Sequence, residues 1–247
     1  MASDFLGWLV GGRSVMWHVP CDQLILSGTY SLRERISGQL AGIPGGTFSL
    51  QSGATGGLGR NMRGLNGVYF GGDAICAFTS IGNPGIRNKT LVVACHPQDS
   101  GQGAVLNTKS TYEDKGELLS VGWALTVTTA EVRFQGWGGG GTPVISGSIS
   151  FSAISRPLVV VVTGSNSTNP HLSLYAGSQK AVADGQEPSE GLAIRLSAQW
   201  NGYDYGYYKG TIIEAACINA CLSEADVLDG MAAFENDPRS AFNIRGL

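Results

Sequence analysis

The chain has 247 residues, a formal net charge of −3 and 14% charged side chains, a charged fraction well below the roughly 25% of ordinary globular domains. This balance gives no electrostatic basis for binding nucleic acid or an acidic membrane surface. No stretch approaches the roughly 18 consecutive apolar residues of a membrane-spanning helix, and the 37 glycines follow no collagen-like period.

The amino-terminal region predicts a protein made in the cytoplasm. Asp4 precedes the first apolar run and no basic segment comes before it, so we expect no signal peptide. The five cysteines, spread from Cys21 to Cys221, are an odd number and indicate buried thiols in a reducing compartment. Residues 1–64 are glycine-rich and are expected to supply edge strands and long loops.

Short β-type segments recur at intervals of roughly a dozen residues between Gly, Asn, Pro and Ser, which favours an all-β sandwich over alternating strands and helices. Residues 157–164, PLVVVVTG, are apolar throughout, as a strand covered on both faces should be. No composition break indicates a second domain, so residues 1–247 are expected to form one sandwich domain. The predicted strands are 67–72, 90–97, 118–129, 131–137, 143–154, 157–164, 171–177, 192–199 and 210–219.

The segment 207–227 carries two cysteines four positions apart, Cys217 and Cys221. In the strand TIIEAACIN, alternation places Ile213 with Cys217 on one face and Ile212 with Glu214 on the other. A zinc site needs further ligands and a thioredoxin-type dithiol needs two intervening residues. The pair is therefore interpreted as packing.

A helix is predicted after this strand. Ser223 is the expected N-cap, with Asp226 at the capping-box position. Leu222 and Val227 form a hydrophobic staple across the helix start. The residues expected to face the sandwich are Val227, Leu228, Met231 and Phe234, and the Asn-Asp-Pro sequence at 236–238 ends the helix.

The order of these segments resembles laminin-G-like domains, members of the concanavalin A-like lectin and glucanase sandwiches. Gly210, Ile212 and Glu214 match the family's Gly-x-Ile-x-Glu strand, and Leu222 with Ser223 match the helix start that follows it. The resemblance covers residues 65–234. It implies a jelly roll of two antiparallel sheets whose rim loops bind ligands, in some members with calcium.

Two further segments carry the resemblance with departures from its pattern. Leu174, Tyr175 and Gly177 match a Leu-Tyr-x-Asp/Asn-Gly motif, but Ala176 stands where the acid or amide is usual. The tail, residues 235–247, begins within AAFENDPRSAF, which is similar to the ending of phage and prophage members. Here Asp237 is inserted and no aromatic residue follows Pro238 directly.

The sequence contains no evident arrangement of catalytic residues. The predicted site residues therefore include neither a catalytic residue nor a metal ligand. Glu113, Asp114 and Glu117 lie in an expected hairpin turn, and Glu187 with Glu190 in an expected loop. Glu214 is an acid within a strand, but it stands alone, and a glycosidase needs two carboxyl groups. No cofactor is expected. Asp73, Asp99 and Asp204 leave calcium binding open.

The loop AQWNGYDYGYYKG, residues 198–210, is the predicted ligand-binding segment. It combines aromatic rings, on which sugar C–H faces stack, with amide and carboxylate partners for hydroxyls. The same aromatic residues could instead contact a neighbouring subunit, which is the favoured alternative, because Tyr and Trp are enriched at protein interfaces. The residues proposed for ligand binding are Trp200, Asn201, Tyr203, Asp204 and Tyr205, with Trp137 as a further aromatic candidate.

From these features we expect a non-catalytic phage protein located in the virion, in a tail, baseplate or capsid surface, with a structural or receptor- or glycan-contacting role. Its partners would be other virion proteins and further copies of itself in a homo-oligomer such as a trimer. Neither nucleic acid nor membrane is an expected partner. The alternatives are a soluble carbohydrate-binding lectin module and a concanavalin A-fold glycoside hydrolase.

Overall fold

The computed structural model describes residues 5–20, 29–31, 47–50, 68–71, 77–79, 85–98, 103–191, 194–198, 208–237 and 240. Their elements, in chain order, are α1 (Phe5–Val10), β1 (Val15–Pro20), β2 (Thr29–Ser31), β3 (Thr47–Leu50), β4 (Val68–Gly71), β5 (Ala77–Thr79), β6 (Lys89–Pro97), β7 (Ala104–Asn107), β8 (Ser110–Asp114), β9 (Glu117–Val127), β10 (Glu131–Gly140), β11 (Ile145–Ser150), β12 (Leu158–Gly164), β13 (His171–Ala176), β14 (Gln179–Asp184), β15 (Arg195–Ala198), β16 (Lys209–Ile218) and α2 (Glu224–Glu235).

The strands form two antiparallel sheets that pack face to face. Sheet A has the order β1-β16-β6-β12-β13-β14, with β4 also pairing with β16. Sheet B has the order β11-β10-β9-β7-β15-β5-β3-β2, with β8 pairing with β9. Two sheets and a short carboxy-terminal helix confirm the predicted all-β sandwich.

Large apolar side chains from both sheets fill the space between them. Trp123 and Phe134 of sheet B stack with their ring centroids 5.9 Å apart, and Trp17 and Val160 of sheet A join the same buried cluster. In β11 burial alternates strictly, with Ile145 and the other odd-numbered residues buried. This is the pattern of a strand with one face on the core.

The other face of sheet A is also apolar and is covered by the two helices. Every residue of β12 is buried; Val160 and Val162 belong to the inter-sheet cluster, whereas Val159 and Val161 pack with helix residues. The prediction for this strand is therefore confirmed. Helix α1 packs against α2, and the rings of Phe5 and Phe234 meet edge to face at 5.0 Å.

Helix α2 begins at the predicted N-cap. The Ser223 hydroxyl accepts a hydrogen bond from the Asp226 backbone N–H and donates one to the Asp226 carboxylate at 2.6 Å. Val227 and Met231 are buried as predicted. The prediction for Leu228 is wrong, because its side chain is 51% exposed. The buried stripe consists of Val227, Met231 and Phe234, at positions i, i+4 and i+7. Leu228, at position i+1, lies outside this stripe and points toward solvent.

The predicted alternation in β16 is also wrong at its start. A bulge between Ile212 and Glu214 shifts the register with β6. A bulge inserts one residue and reverses the alternation that follows from it. As a result Ile212 shares the inter-sheet core with Cys217, whereas Ile213 faces the helices.

Several elements had no clear sequence signal. Helix α1 lies in the region where we predicted edge strands and loops; a helix of six residues is marginal in water and forms through tertiary packing. Strands β5, β7, β8 and β14 were not predicted either. The Lys115-Gly116 turn was predicted, and it is confirmed by positive φ angles of 51° and 83°, as in a type I′ hairpin turn.

The sequence predicts that the glycine run at 138–141 forms the tip of a hairpin. Gly138 pairs with Val121 and Gly140 with Ser120, so the first three glycines continue the ladder between β10 and β9, whereas Gly141 lies in the connection between β10 and β11. Among the described residues, neither helix has the length and apolar character required to cross a bilayer.

The α1–α2 contact can be tested at Gly230. A Cβ there would lie 2.2 Å from Trp8 Cε2, so Gly230→Ala must displace α1. We expect a loss of about 1–3 kcal/mol in the free energy of unfolding, as for overpacked cores, measured by urea denaturation.

The control is the same substitution in a Trp8→Ala background. There the added methyl group has room, and it should stabilise by up to about 1 kcal/mol through helix propensity. An equal loss in both backgrounds would contradict the packing explanation.

Candidate functional site

The predicted binding loop is not tested by the structure. Trp200, Asn201, Tyr203, Asp204 and Tyr205 all lie outside the described residues. At the end of this loop, Tyr208 is 1% exposed within the inter-sheet core. Its hydroxyl donates a hydrogen bond to the Thr211 carbonyl at 3.3 Å. Tyr208 is therefore a core residue.

The cysteines of the 207–227 segment have different surroundings. Cys217 is a free thiol that is fully buried in the inter-sheet core, which confirms its interpretation as packing. Burial raises its pKa to about 12. Cys221 is a free, exposed thiol in the connection before α2, so the packing prediction is wrong for this residue. No group of metal-ligating side chains suited to an ion occurs in the described part of the chain.

Glu214, the acid identified within a strand, is buried under the helix-covered face of sheet A. Its side chain is 1% exposed, and its carboxylate lies 3.7 Å from the Nε2 atom of His18, whose side chain is completely buried. A carboxyl group at this depth cannot contact a polysaccharide. Its position therefore argues for a structural role rather than catalysis.

Trp137 is similarly unavailable for stacking a sugar. Its ring is 3% exposed, and the Nζ atom of Lys109 lies 4.3 Å from its ring centroid. Burial lowers the pKa of Lys109 to about 8, while the facing ring favours the ammonium form. The face of this aromatic ring is already occupied by a cation from the same chain.

An open cleft lies at one end of the sandwich, next to the carboxyl end of α2. Its volume is about 560 Å³, within the roughly 300–1,000 Å³ of small-ligand sites. Three segments enclose it: residues 151–159 before and within β12, the turn at Gly177–Gln179, and the last turn of α2 with Ser240.

The floor of the cleft is apolar and its rim is polar. Met231 and Phe234 of α2 are buried at the floor, with Ile154 and Leu158 from the opposite wall. The rim consists of exposed side chains that can donate or accept hydrogen bonds: Ser155, Arg156, Ser178, Gln179, Glu235 and Asn236.

Local hydrogen bonds hold the rim segments in place. Gln179 Nε2 donates to the Ser150 carbonyl at 3.3 Å, which ties the turn to the end of β11. The Asn236 side-chain amide donates to the Ala232 carbonyl at 2.9 Å and caps α2. Behind the cleft, burial lowers the pKa of His96, and a hydrogen bond with the Ser155 backbone partly opposes this shift.

Sequence reasoning missed this cleft. Residues 143–154 were predicted as one strand, but β11 ends at Ser150, and residues 151–157 continue without regular structure. The alternation ends there in Phe-Ser-Ala-Ile-Ser-Arg-Pro, and proline restricts the residue before it. The lost alternation and the proline could have predicted an earlier end of the strand. Nothing in the sequence indicates that α2 lies across from residues 151–157.

Comparisons with known proteins support the fold. No protein-family model and no curated protein sequence matches the chain. Among solved structures, the binding domain of botulinum neurotoxin DC in complex with SialylT has a TM-score of 0.51 and 9% identity, with 77% of this chain and 47% of that one covered. This likeness shows a shared sandwich fold.

Two other solved structures align less closely. A Ruminococcus gnavus IT-sialidase CBM40 bound to alpha2,3 sialyllactose has a TM-score of 0.44 and 12% identity over 67% of this chain and 95% of that one. Trypanosoma rangeli sialidase in complex with sialic acid has a TM-score of 0.45 and 13% identity over 71% of this chain. The chain spans 28% of the length of that sialidase and less than half of the toxin domain. The laminin-G-like and phage assignments stay predictions.

The role of Glu214 can be tested by truncation. Glu214→Ala removes the carboxylate beside a buried imidazole and leaves a cavity, so we expect a loss of about 3 kcal/mol in the free energy of unfolding. Glu214→Gln keeps the volume and an acceptor oxygen and should cost less. A loss below about 1 kcal/mol for the alanine variant would contradict a structural role.

The cysteine environments predict selective alkylation of the native protein. Burial raises the pKa of Cys95 and of Cys217 to about 12, so near pH 8 both should remain protonated and unreactive toward iodoacetamide. Exposed Cys221 should react. Fragment-ion mass spectrometry locates the label, and urea should make Cys95 and Cys217 reactive as well. Labelling of native Cys217 would contradict its burial.

Proposed function

We propose that this protein is a non-catalytic glycan-binding sandwich whose ligand lies in the cleft between residues 151–159, the Gly177–Gln179 turn and the end of α2. The observation that carries the proposal is the composition of that cleft, with buried apolar side chains at the floor and exposed hydrogen-bonding side chains around the rim. Ligand sites commonly combine an apolar lining with a few placed polar groups.

Sugars suit such a lining because each ring has an apolar C–H face and several hydroxyl groups. Phe151, half-buried at the edge of the cleft, can contact a ring face. Gln179 and Asn236 retain side-chain carbonyl oxygens, which can accept hydrogen bonds from hydroxyls. The exposed hydroxyl of Ser178 can donate or accept.

Similarity in fold gives general support to this proposal. The structure with a TM-score of 0.51 is a binding domain whose name records a complex with SialylT. Fold alone does not determine function, so the cleft and not the likeness identifies the site proposed here.

A binding role fits the cleft better than hydrolysis. Glycosidases place two carboxyl groups on either side of the scissile bond, about 5–9.5 Å apart. Glu235 is the one carboxylate among the described residues that line the cleft. Glu214 is buried beside His18.

The setting in a phage virion and the homo-oligomeric state remain part of the proposal. Their support is the low charge fraction and the ending at residues 232–242. Genes for a portal, tail or capsid protein next to this one would support a virion role, whereas a neighbourhood of metabolic genes would oppose it. The Trp200–Tyr205 loop is proposed as a second contact surface, for glycan or for another subunit.

The cleft can be tested with the full chain on a glycan microarray, followed by calorimetry on the best ligand. Ser178→Trp places a bulky ring at the mouth of the cleft from an exposed turn position. It should weaken binding by at least about tenfold, equivalent to about 1.4 kcal/mol. Ser178→Ala should have little effect, because it removes a hydroxyl and adds no bulk.

The control variants separate the two candidate surfaces. Tyr112→Ala changes a 46% exposed tyrosine on the β8–β9 hairpin, outside the cleft, and should bind like the unmodified protein. If Trp200→Ala and Tyr205→Ala abolish binding while Ser178→Trp does not, the ligand lies on the loop and the cleft assignment is wrong. Absence of binding to any glycan would overturn the proposed function.

A further inference from the structure

We infer, building on the proposed function, that the cleft selects glycans that carry a carboxylated sugar residue and that Arg156 binds the carboxylate. Arg156 lines the cleft and is exposed. Within the described residues it has neither a hydrogen bond nor an ion pair. This makes it available to an external anion.

The other described arginines are engaged with groups of the same chain. Arg133 forms a bidentate contact with Glu131, the shorter distance being 2.7 Å. Arg13 lies 3.7 Å from the Asp226 carboxylate, and the Arg87 Nε atom donates to Asn166 at 3.4 Å. Arg195 donates to the Lys109 carbonyl. Among the arginines that the structure describes, Arg156 thus differs from the others in having no partner within the described residues.

Arginine matches a carboxylate by geometry as well as by charge. Its planar guanidinium offers parallel N–H donors to the two carboxylate oxygens, and such charge-assisted pairs are stronger than neutral hydrogen bonds. Met231 and Phe234 line the same cleft and offer apolar contact to the ring that carries the carboxylate.

Glu235 on the opposite wall favours a singly charged ligand over a phosphate. This carboxylate has no ion pair or hydrogen bond among the described residues and lies in the last turn of α2, which contains no basic residue. The carboxyl end of a helix carries partial negative charge. A dianionic phosphate would be repelled more strongly than a carboxylate, whereas sugar hydroxyls can donate hydrogen bonds to Glu235.

The test compares an acidic oligosaccharide with its carboxyl-reduced counterpart, which differs only in a neutral alcohol at that carbon, and with an analogue that carries a phosphate monoester in place of the carboxylate. Titration calorimetry should give roughly two- to fivefold weaker binding for the reduced form, because an exposed ion pair contributes up to about 1 kcal/mol. The phosphorylated analogue, which is close to dianionic at neutral pH, should bind less tightly than the carboxylated one.

Three variants assign this preference to Arg156. Arg156→Gln should bind the acidic and reduced forms equally, and Arg156→Lys should retain part of the preference because it keeps the charge without the planar fork. Arg87→Gln is the matched control, since Arg87 lies beyond the opposite end of β12 and should leave the preference intact. Glu235→Gln should strengthen binding of the acidic form by removing a like charge.

The outcomes distinguish this inference from the proposed function. Equal binding of acidic and reduced forms by a protein whose binding is still blocked by Ser178→Trp overturns the carboxylate assignment and leaves glycan binding standing. Tighter binding of the phosphorylated form overturns it as well. No binding of any glycan overturns both, and loss of the preference in Arg156→Gln alone supports the inference.

Discussion

The burial of sheet A on both faces is the constraint on which the rest of this structure depends. Val160 and Val162 of β12 pack against sheet B, and Val159 and Val161 of the same strand need a cover of their own. Burying a single valine or phenylalanine contributes about 1.5–3 kcal/mol, so an uncovered outer face would be costly. Helices α1 and α2 provide the cover, with Phe5 against Phe234 at its centre.

That cover also forms the candidate site. Because α2 lies along the outer face of sheet A, its carboxyl end reaches the segment that leads into β12, and the gap between them is the cleft. The residues that line it come from three distant parts of the chain. Met231 contributes to the packing of the helix and to the cleft floor at once.

Two pairs of charged residues differ in what they touch. Glu214 and Lys109 are buried or nearly so, the first beside His18 and the second over the ring of Trp137, and burial of such groups is tolerated when partners are close. Arg156 and Glu235 are exposed at the cleft without partners among the described residues.

The sequence alone determined the sandwich class, most of the central strands and the start of α2. These follow from local rules: alternation, apolar runs and the Ser223 cap act over a few residues. Only the tertiary structure decided the phase of β16, the presence of α1 and the position of the cleft. A bulge at Ile212 to Glu214 reverses alternation without a composition signal, a six-residue helix forms only against its partner, and a cleft requires segments that are remote in the chain to meet.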